Sequence, residues 1–304
     1  MPEAAGARPG PSATAPGAAN GDERRPALPE ALPRPVIDSH CHIDMRGQDE
    51  QALSPAEAVA LATSVNVTGI VQVGCSIRDV ASAVAMAEEN PAILAAIGIH
   101  PNEAPRLAAR GELDAAIATV EELAAGSARV RGIGETGLDH FRTREPQGWA
   151  IQEEAFRAHI DVARRLGRAL VIHDRDAHDD VIRILLAEQA GAGLPEVVVF
   201  HCFSGDAAMA HVAADNGWYV SFAGTVTFTN ARDLHAAAPV VPDDRILVET
   251  DAPFLTPSPH RGRVNASYLV PLTVRRLAEL RGQDPSALCD DLYANTIRAF
   301  GDFG

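Results

Sequence analysis

The chain has 304 residues, of which 46% are hydrophobic and 22% are charged, and its formal net charge is −15 at pH 7. This charge argues against a protein that coats nucleic acid non-specifically, because such proteins carry a basic surface. It does not exclude a site that holds a polyanion through bound divalent cations, since these supply positive charge where carboxylates alone would repel it.

Residues 1–34 differ in composition from the rest of the chain. Proline, alanine and glycine dominate, no apolar periodicity occurs and the charges cancel, which predicts a disordered extension before a domain at residues 35–304. The sequence has neither the apolar core of a signal peptide nor a membrane-spanning run. Its four cysteines are too few and too scattered for a disulfide scaffold. We therefore expect a monomeric cytoplasmic protein with reduced thiols that does not bind membranes.

Eight short apolar runs predict strands, and amphipathic segments between most of them predict helices. The strands are expected at residues 36–39, 69–73, 93–99, 130–134, 169–172, 197–200, 219–222 and 245–250, and helices at 57–65, 80–89, 113–124, 152–166, 179–189 and 207–216. This alternation indicates an α/β fold of the TIM (β/α)₈ barrel type, in which all strand ends meet at one mouth. A doubly wound open sheet is the rival, but it would place these ends along an edge.

Five of the apolar runs end in side chains that can bind metal. His40 and His42 close the first run, and because residues i and i+2 of a strand face the same way, both can bind one ion while Cys41 points away. The run at residues 93–99 has a weaker ending, His100. The other four runs lead to Glu135, His173, His201 and Asp251.

Imidazole and carboxylate ligands together suit zinc, manganese or iron, and they hold magnesium when enough oxygen ligands are present. Six ligands exceed the needs of one open catalytic ion, so we predict two divalent ions, Mg, Mn or Zn, bridged by a carboxylate. Glu135 leaves the middle of the strand order and is the expected bridge. Asp251 is expected to bind the first ion and to accept the proton of the attacking water. Glu249 shares the face of Asp251, either as its support or as a structural residue.

Six sequence blocks occur in order: IDSHCHID at 37–44, GIHP at 98–101, GIGETGLD at 132–139, VIHDRDA at 171–177, FHCFSG at 200–205 and ETDAPFLTP at 249–257. Together they resemble the signature blocks of the TatD family of metal-dependent deoxyribonucleases. The resemblance implies a TIM barrel of the metal-dependent hydrolase superfamily. It also implies hydrolysis of DNA phosphodiester bonds by a metal-bound hydroxide, as a 3′–5′ exonuclease on single-stranded or end-bound DNA.

The resemblance further implies roles for individual residues. The metal ligands would be His40, His42, Glu135, His173, His201 and Asp251. Glu135, Asp251 and His100 would take part in catalysis. Substrate contacts would come from His100 and from the segment that contains His260, Arg261, Arg263 and Asn265, although the two arginines are equally typical of a solvated loop.

Two other functions remain open. The first is a binuclear amidohydrolase that acts on an amide, a lactone or a small phosphoester. Many such enzymes bridge their metals with a carboxylated lysine, and this chain has no lysine, which favours a glutamate bridge without fixing the substrate. The second is a non-enzymatic module stabilised by metal, which a full ligand set at a barrel mouth disfavours. The native metal, DNA against RNA, and exonucleolytic against endonucleolytic cleavage stay undecided.

Overall fold

The computed structural model describes residues 25–45 and 53–303. Its eight strands are parallel and neighbour one another in chain order. Beyond the last strand, the Asp251 N–H donates to the His40 carbonyl (2.9 Å) and the His42 N–H donates to the Ala252 carbonyl (2.8 Å), which joins the eighth strand to the first. The TIM barrel prediction is confirmed and the open sheet is excluded. The strands are β1 Val36–Cys41, β2 Val67–Gly74, β3 Ile93–Ile97, β4 Val130–Asp139, β5 Ala169–Arg175, β6 Val198–Phe200, β7 Tyr219–Phe222 and β8 Ile246–Val248.

Helices surround the strands, and local signals set their ends. Ser54 and Glu57 form a capping box at the first helix, and Gly167 ends the fifth in the left-handed region (φ +60°). The fifth helix begins at Pro146 instead of residue 152, because proline fits a first helical turn. No helix in the described ranges has both the length and the apolar character to cross a membrane. The helices are α1 Pro55–Thr63, α2 Val80–Glu89, α3 Ala104–Ala108, α4 Leu113–Gly126, α5 Pro146–Leu166, α6 His178–Ala190, α7 Ala207–Asp215, α8 Arg232–Ala237, α9 Val270–Arg281 and α10 Pro285–Phe300, with 3₁₀ turns at Gly224–Thr227 and Ser267–Leu269.

The barrel is filled by side chains and is closed at its amino-terminal end. Inward residues of the strands form one apolar cluster with Phe300 and Phe303 from the end of the chain. The guanidinium of Arg129, just before β4, donates to the Phe303 carbonyl (2.8 Å) and fixes this segment in place. The only open end is therefore the mouth at the carboxyl ends of the strands, within the part of the chain described. The inward strand residues of this cluster are Ile37, Val71, Val73, Leu94, Ala96, Ala169, Val171, Val199, Tyr219 and Leu247.

Irregular pairing in β1 turns its ligands toward the mouth. Ile37 packs inside the barrel, so strict alternation would direct His40 outward. The pairing of β1 with β2 is irregular between Asp38 and Cys41, and after that point His40 faces inward while Cys41 packs against the helices. The register shift therefore aims the histidine pair, as bulges near active sites do.

A second irregularity, in β4, turns Glu135 toward the mouth of the barrel. Ile133 packs against the helices, yet Glu135, two residues later, faces into the barrel. The pairing with β5 shifts between Ile133 and Thr136, where Gly134 has φ +143° and a Cβ would lie 2.2 Å from the Val171 carbonyl oxygen. Only glycine fits this position, so Gly134 sets the direction of Glu135.

Residues 25–34 correct the predicted boundary of the extension, which placed residues 1–34 outside the domain. Leu32 is 2% exposed, and its N–H donates to the Val65 carbonyl (3.2 Å). Tyr268 donates to the Pro26 carbonyl (2.7 Å) and Arg275 to the Glu30 carbonyl (2.7 Å). This segment therefore packs on the barrel. The prediction for residues 1–24 lies outside the described residues.

Replacing Leu32 should measure how strongly this segment is anchored. We expect Leu32→Ala to lower the free energy of unfolding by about 2–4 kcal/mol, because it removes a buried side chain and leaves a cavity. Leu28 is 49% exposed in the same segment, so Leu28→Ala is the matched control and should change little. Denaturant unfolding of both variants checks this. Equal stability of the two variants would contradict the packing of the segment.

Candidate metal centre

The six side chains predicted to bind metal meet at the mouth of the barrel, and Glu135 lies at their centre. Its Oε2 is 3.6 Å from His40 Nε2 and 3.8 Å from His42 Nε2. Its Oε1 is 2.5 Å from His173 Nδ1 and 2.9 Å from His201 Nε2. One carboxylate oxygen thus faces the β1 histidines and the other faces the histidines of β5 and β6. This division supports the bridging role predicted for Glu135.

Asp251 completes the β1 side of the cluster. Its Oδ1 lies 3.5 Å from His42 Nε2 and 3.9 Å from His40 Nε2. Its backbone has φ +53°, the left-handed region that non-glycine residues rarely adopt and that is concentrated at functional sites. The candidate ligand groups overlap through shared members, so the cluster is continuous across the mouth. They are His40, Glu135 and His201; His40, His42 and Asp251; and His100, Glu135 and His173.

The second nitrogen of three histidines has its own acceptor. His42 Nδ1 donates to the Val73 carbonyl (2.9 Å), and His201 Nδ1 lies 3.0 Å from Glu249 Oε1. His173 Nε2 lies 3.3 Å from Asp139 Oδ2. Such partners fix the ring and the tautomer of metal-binding histidines. Glu249 is therefore a support, but it supports His201 and not Asp251.

The charges of the cluster fit a cation. Burial alone raises the pKa of Glu135, but the surrounding histidines hold that pKa well below its usual range. Burial lowers the pKa of His42, and the Asp251 and Glu135 carboxylates then raise it to about 9. His40 Nδ1 is buried without a hydrogen-bond partner among the described residues. The pocket thus combines carboxylates, which positive charge stabilises, with imidazole nitrogens. These are the ligands that divalent ions such as zinc or manganese bind.

His100 has a different character from the other histidines. Its Nδ1 accepts a hydrogen bond from the Asn102 N–H (3.0 Å), so the neutral ring carries its proton on Nε2. Burial lowers its pKa, which favours this neutral form. Nε2 lies 3.4 Å from Glu135 Oε1, at the edge of the metal cluster. His100 is thus positioned as a hydrogen-bond donor beside Glu135.

Asp139 is a neighbour of the cluster that was not predicted from the sequence, although it ends one of the family-like blocks. It faces His173 Nε2, and its carboxylate accepts from Asn102 Nδ2 (2.8 Å) and from the Arg142 N–H (2.7 Å). These donors keep its pKa below the usual range although burial opposes this. Asp139 therefore orients His173, and the only sequence signal was its place after Gly-Leu.

His159 supports the end of β3 from within α5. Its Nδ1 donates to the Ala155 carbonyl (2.7 Å), and its Nε2 accepts from the Ile99 N–H (3.1 Å), next to His100. Burial lowers its pKa from 6.5 to about 4. The folded protein thus keeps His159 neutral at a pH where the unfolded chain binds a proton.

This difference predicts a pH dependence of stability. As the pH falls through 6.5, the unfolded state binds more protons at His159 than the folded state does, so folding weakens. Between about pH 7 and about pH 5.5 we expect this residue to reduce the unfolding free energy by about 1 kcal/mol. His159→Gln should lose that component, whereas His211→Gln, at an exposed position, should keep it. Denaturation at both pH values checks this, and identical pH dependence in wild type and His159→Gln would contradict it.

A cleft of about 1410 Å³ opens above the metal cluster. Four arginines line it without a carboxylate partner among the described residues, whereas Arg106, also in its wall, pairs with Glu103 (2.6 Å). In a chain with a net charge of −15, this places guanidinium groups that lack ion pairs within the described ranges beside the cluster, in a wall that also carries carboxylates. The four are Arg142, Arg144, Arg175 and Arg232, none of which was predicted from the sequence.

The segment predicted to contact substrate near residue 260 does not line this cleft. Arg261 is exposed and lies over the Phe228 ring at 4.0 Å, and His260 and Arg263 are also absent from the cleft wall. Asn265 is buried, and its amide donates to the carbonyls of Thr250 (2.9 Å) and Phe254 (2.6 Å). The substrate role predicted for Asn265 is therefore corrected to a structural one, because its donors are used within the loop.

Comparison with known proteins agrees with this geometry. The family model described as TatD related DNase matches residues 37–301. The uncharacterized metal-dependent hydrolase TatD of Mycobacterium tuberculosis is 41% identical over 269 residues, covering 88% of this chain and 98% of that protein. YabD of Bacillus subtilis, also an uncharacterized metal-dependent hydrolase, is 36% identical, with coverages of 87% and 98%. The crystal structure of the TatD homologue YJJV from Escherichia coli K12 has a TM-score of 0.77 and 25% identity, covering 87% of this chain and 97% of that one. The chain therefore belongs to the TatD-related family of metal-dependent hydrolases.

Proposed function

We propose that this protein is a divalent-metal-dependent deoxyribonuclease that removes nucleotides from the 3′ end of single-stranded or end-bound DNA. Two ions, Mg, Mn or Zn, would be held by His40, His42, Glu135, His173, His201 and Asp251. When bound, such ions polarise a phosphoryl oxygen and make water a stronger nucleophile at neutral pH.

The observation that carries this proposal is the unpaired arginine set of the cleft. Hydrolysis of an amide or a lactone leaves no reason to keep four guanidinium groups free of carboxylate partners beside the metal ligands. A phosphodiester chain carries one negative charge per nucleotide, and guanidinium forks bind phosphate oxygens through two hydrogen bonds. The cleft therefore suits an anionic polymer better than a small neutral substrate.

The residues around the cluster have separate roles in proton transfer, substrate binding and the orientation of the metal ligands. The Asp251 carboxylate is partly accessible from the mouth and accepts the proton of the attacking water. The Nε2–H of His100 donates a hydrogen bond to an oxygen of the substrate. Asp139 keeps His173 in its orientation, and Glu249 does the same for His201. The cleft arginines hold phosphates on either side of the bond that is cut.

Digestion of end-labelled DNA tests the proposal directly. Protein freed of metal with a chelator is given Mg, Mn or Zn separately and is incubated with a single-stranded oligonucleotide labelled at its 5′ end. We expect metal-dependent shortening from the 3′ end, with Glu135→Ala protein, purified identically, as the control for contaminating nucleases. If folded wild type leaves the DNA intact with all three metals, or if it hydrolyses an amide or lactone instead, the deoxyribonuclease proposal fails.

The arginines allow a finer prediction. Arg142→Ala and Arg232→Ala should each lower kcat/KM on DNA by about 10-fold, because each removes a charged hydrogen bond to phosphate. Arg261→Ala, outside the cleft wall, should have a smaller effect and serves as the matched control. Steady-state kinetics at fixed salt measure all three. A larger loss in Arg261→Ala than in the cleft variants would restore the substrate role predicted for residues 260–263.

A further inference from the structure

Two exposed phenylalanines lie in the wall of the cleft. Phe141 is 46% exposed and Phe254 is 48% exposed, although most large apolar side chains of the described chain are buried. Single exposed apolar side chains are common on protein surfaces, but these two are aromatic rings in the wall of one cleft beside the candidate metal ligands, where an exposed ring can contact a bound molecule. Neither ring takes part in the metal cluster.

The two rings stand on opposite sides of the metal cluster. Phe141 follows β4, and Phe254 follows β8. In a ring of eight strands in chain order, these two strands face each other across the barrel. The cluster around Glu135 lies between them, and the Phe254 ring is 6.4 Å from the His42 ring.

The Phe141 ring and the Phe254 main chain are each held in position. The guanidinium of Arg175 lies 4.0 Å from the centre of the Phe141 ring and covers one face, so the exposed area lies on the other face and the edge. The Phe254 carbonyl accepts from the buried Asn265 amide (2.6 Å), and the Phe254 N–H donates to the Asp251 carbonyl (2.9 Å). Fixed aromatic faces lose little conformational entropy when a flat group stacks on them.

We propose that Phe141 and Phe254 are base-stacking platforms that hold the nucleotides on the two sides of the scissile phosphate. This inference rests on the proposed function and specifies its substrate as DNA whose terminal bases are unstacked. Every base has an aromatic face, so stacking is tolerant of sequence, and unpaired arginines nearby bind the phosphates between the bases. Duplex DNA would have to open at its end before the same contacts form.

Kinetics on matched oligonucleotides test the platforms. The substrates are a single-stranded oligonucleotide and one of the same length whose last two 3′ positions are abasic, which keeps the phosphates and removes the bases. Phe141→Ala and Phe254→Ala should each lower kcat/KM on the intact strand by roughly 10- to 100-fold. Phe141→Tyr and Phe254→Tyr should retain activity, since tyrosine also stacks. Tyr293→Ala, at a 37% exposed position on α10 outside the cleft wall, is the control and should behave as wild type.

On the abasic strand, both alanine variants should match wild type, because the interaction they remove is already missing. Equal losses on intact and abasic strands would assign the rings a structural role, and no loss on the intact strand would overturn the stacking directly. Wild type that cleaves neither strand with any metal would instead overturn the proposed function, so the two failures are distinguishable.

Discussion

The Glu135→Ala variant is expected to lose hydrolytic activity by at least about 1,000-fold and to bind less metal than wild type. Both carboxylate oxygens of Glu135 face imidazole nitrogens, Oε2 toward His40 and His42 and Oε1 toward His173 and His201. Removing this side chain should therefore weaken metal binding on both sides of the cluster at once.

Metal content per chain, measured by mass spectrometry after dialysis against a fixed metal concentration, checks the bridging role. His173→Ala is the matched comparison, because His173 reaches only Oε1 of Glu135 and should weaken binding on one side. Circular dichroism of each variant confirms that the barrel has folded. Wild-type metal content in Glu135→Ala protein would rule out the bridge.

Asp251→Asn should lower kcat by about 100- to 10,000-fold, the range typical of a lost general base. The amide has nearly the shape of the carboxylate and keeps one oxygen toward His42, so metal content should fall less than in Glu135→Ala. Its weak basicity, however, prevents it from accepting the proton of the attacking water.

Asp139→Asn is the control for Asp251→Asn. It separates the loss of a proton acceptor from the general effect of removing a carboxylate near the cluster. Asp139 orients His173 from behind, so its replacement should cost about 10-fold, as is usual for groups that support a metal ligand. Comparing kcat and metal content in the two variants checks the distinction. If Asp251→Asn turns over as fast as Asp139→Asn, another group accepts the proton.

The clustering of the candidate metal ligands was predictable because the signal for it is local. His173 and His201 each follow an apolar run whose side chains alternate regularly between the barrel interior and the surrounding helices. The direction of the strands therefore suffices to place both histidines at the same open end. His40 required a register shift in β1 that the sequence did not indicate. His40 and His42 nevertheless lie side by side in the cluster, because their rings face the same mouth, with their Nε2 atoms 3.4 Å apart.

The residues that line the cleft were harder to predict, since residue type does not reveal orientation in a loop. Arg142 and Arg261 are both loop arginines near family-like blocks, yet only Arg142 lines the cleft. Whether an arginine is free depends on which carboxylates the fold brings near it. Asn265 shows the same limit, because its amide turns inward to hold two carbonyls.

The misplaced boundary of the extension has a related cause. Residues 25–34 show no periodicity because much of their anchoring goes through backbone carbonyls, which every residue type provides. The carbonyls of Pro26 and Glu30 accept from Tyr268 and Arg275, and only Pro26 and Leu32 are buried in this segment. Two leucines spaced among prolines, alanines and charged residues do not predict packing.

Phe300 and Phe303 close the far end of the barrel, which makes the cleft a blind depression in the part of the chain described, not a tunnel. A polymer cannot be threaded through it, so any strand must enter and withdraw over the same rim. If the protein cleaves DNA as proposed, the shortened strand and the released nucleotide must both leave over this rim. Substrate and product therefore exchange at one face of the barrel, the face that carries both the metal cluster and the cleft.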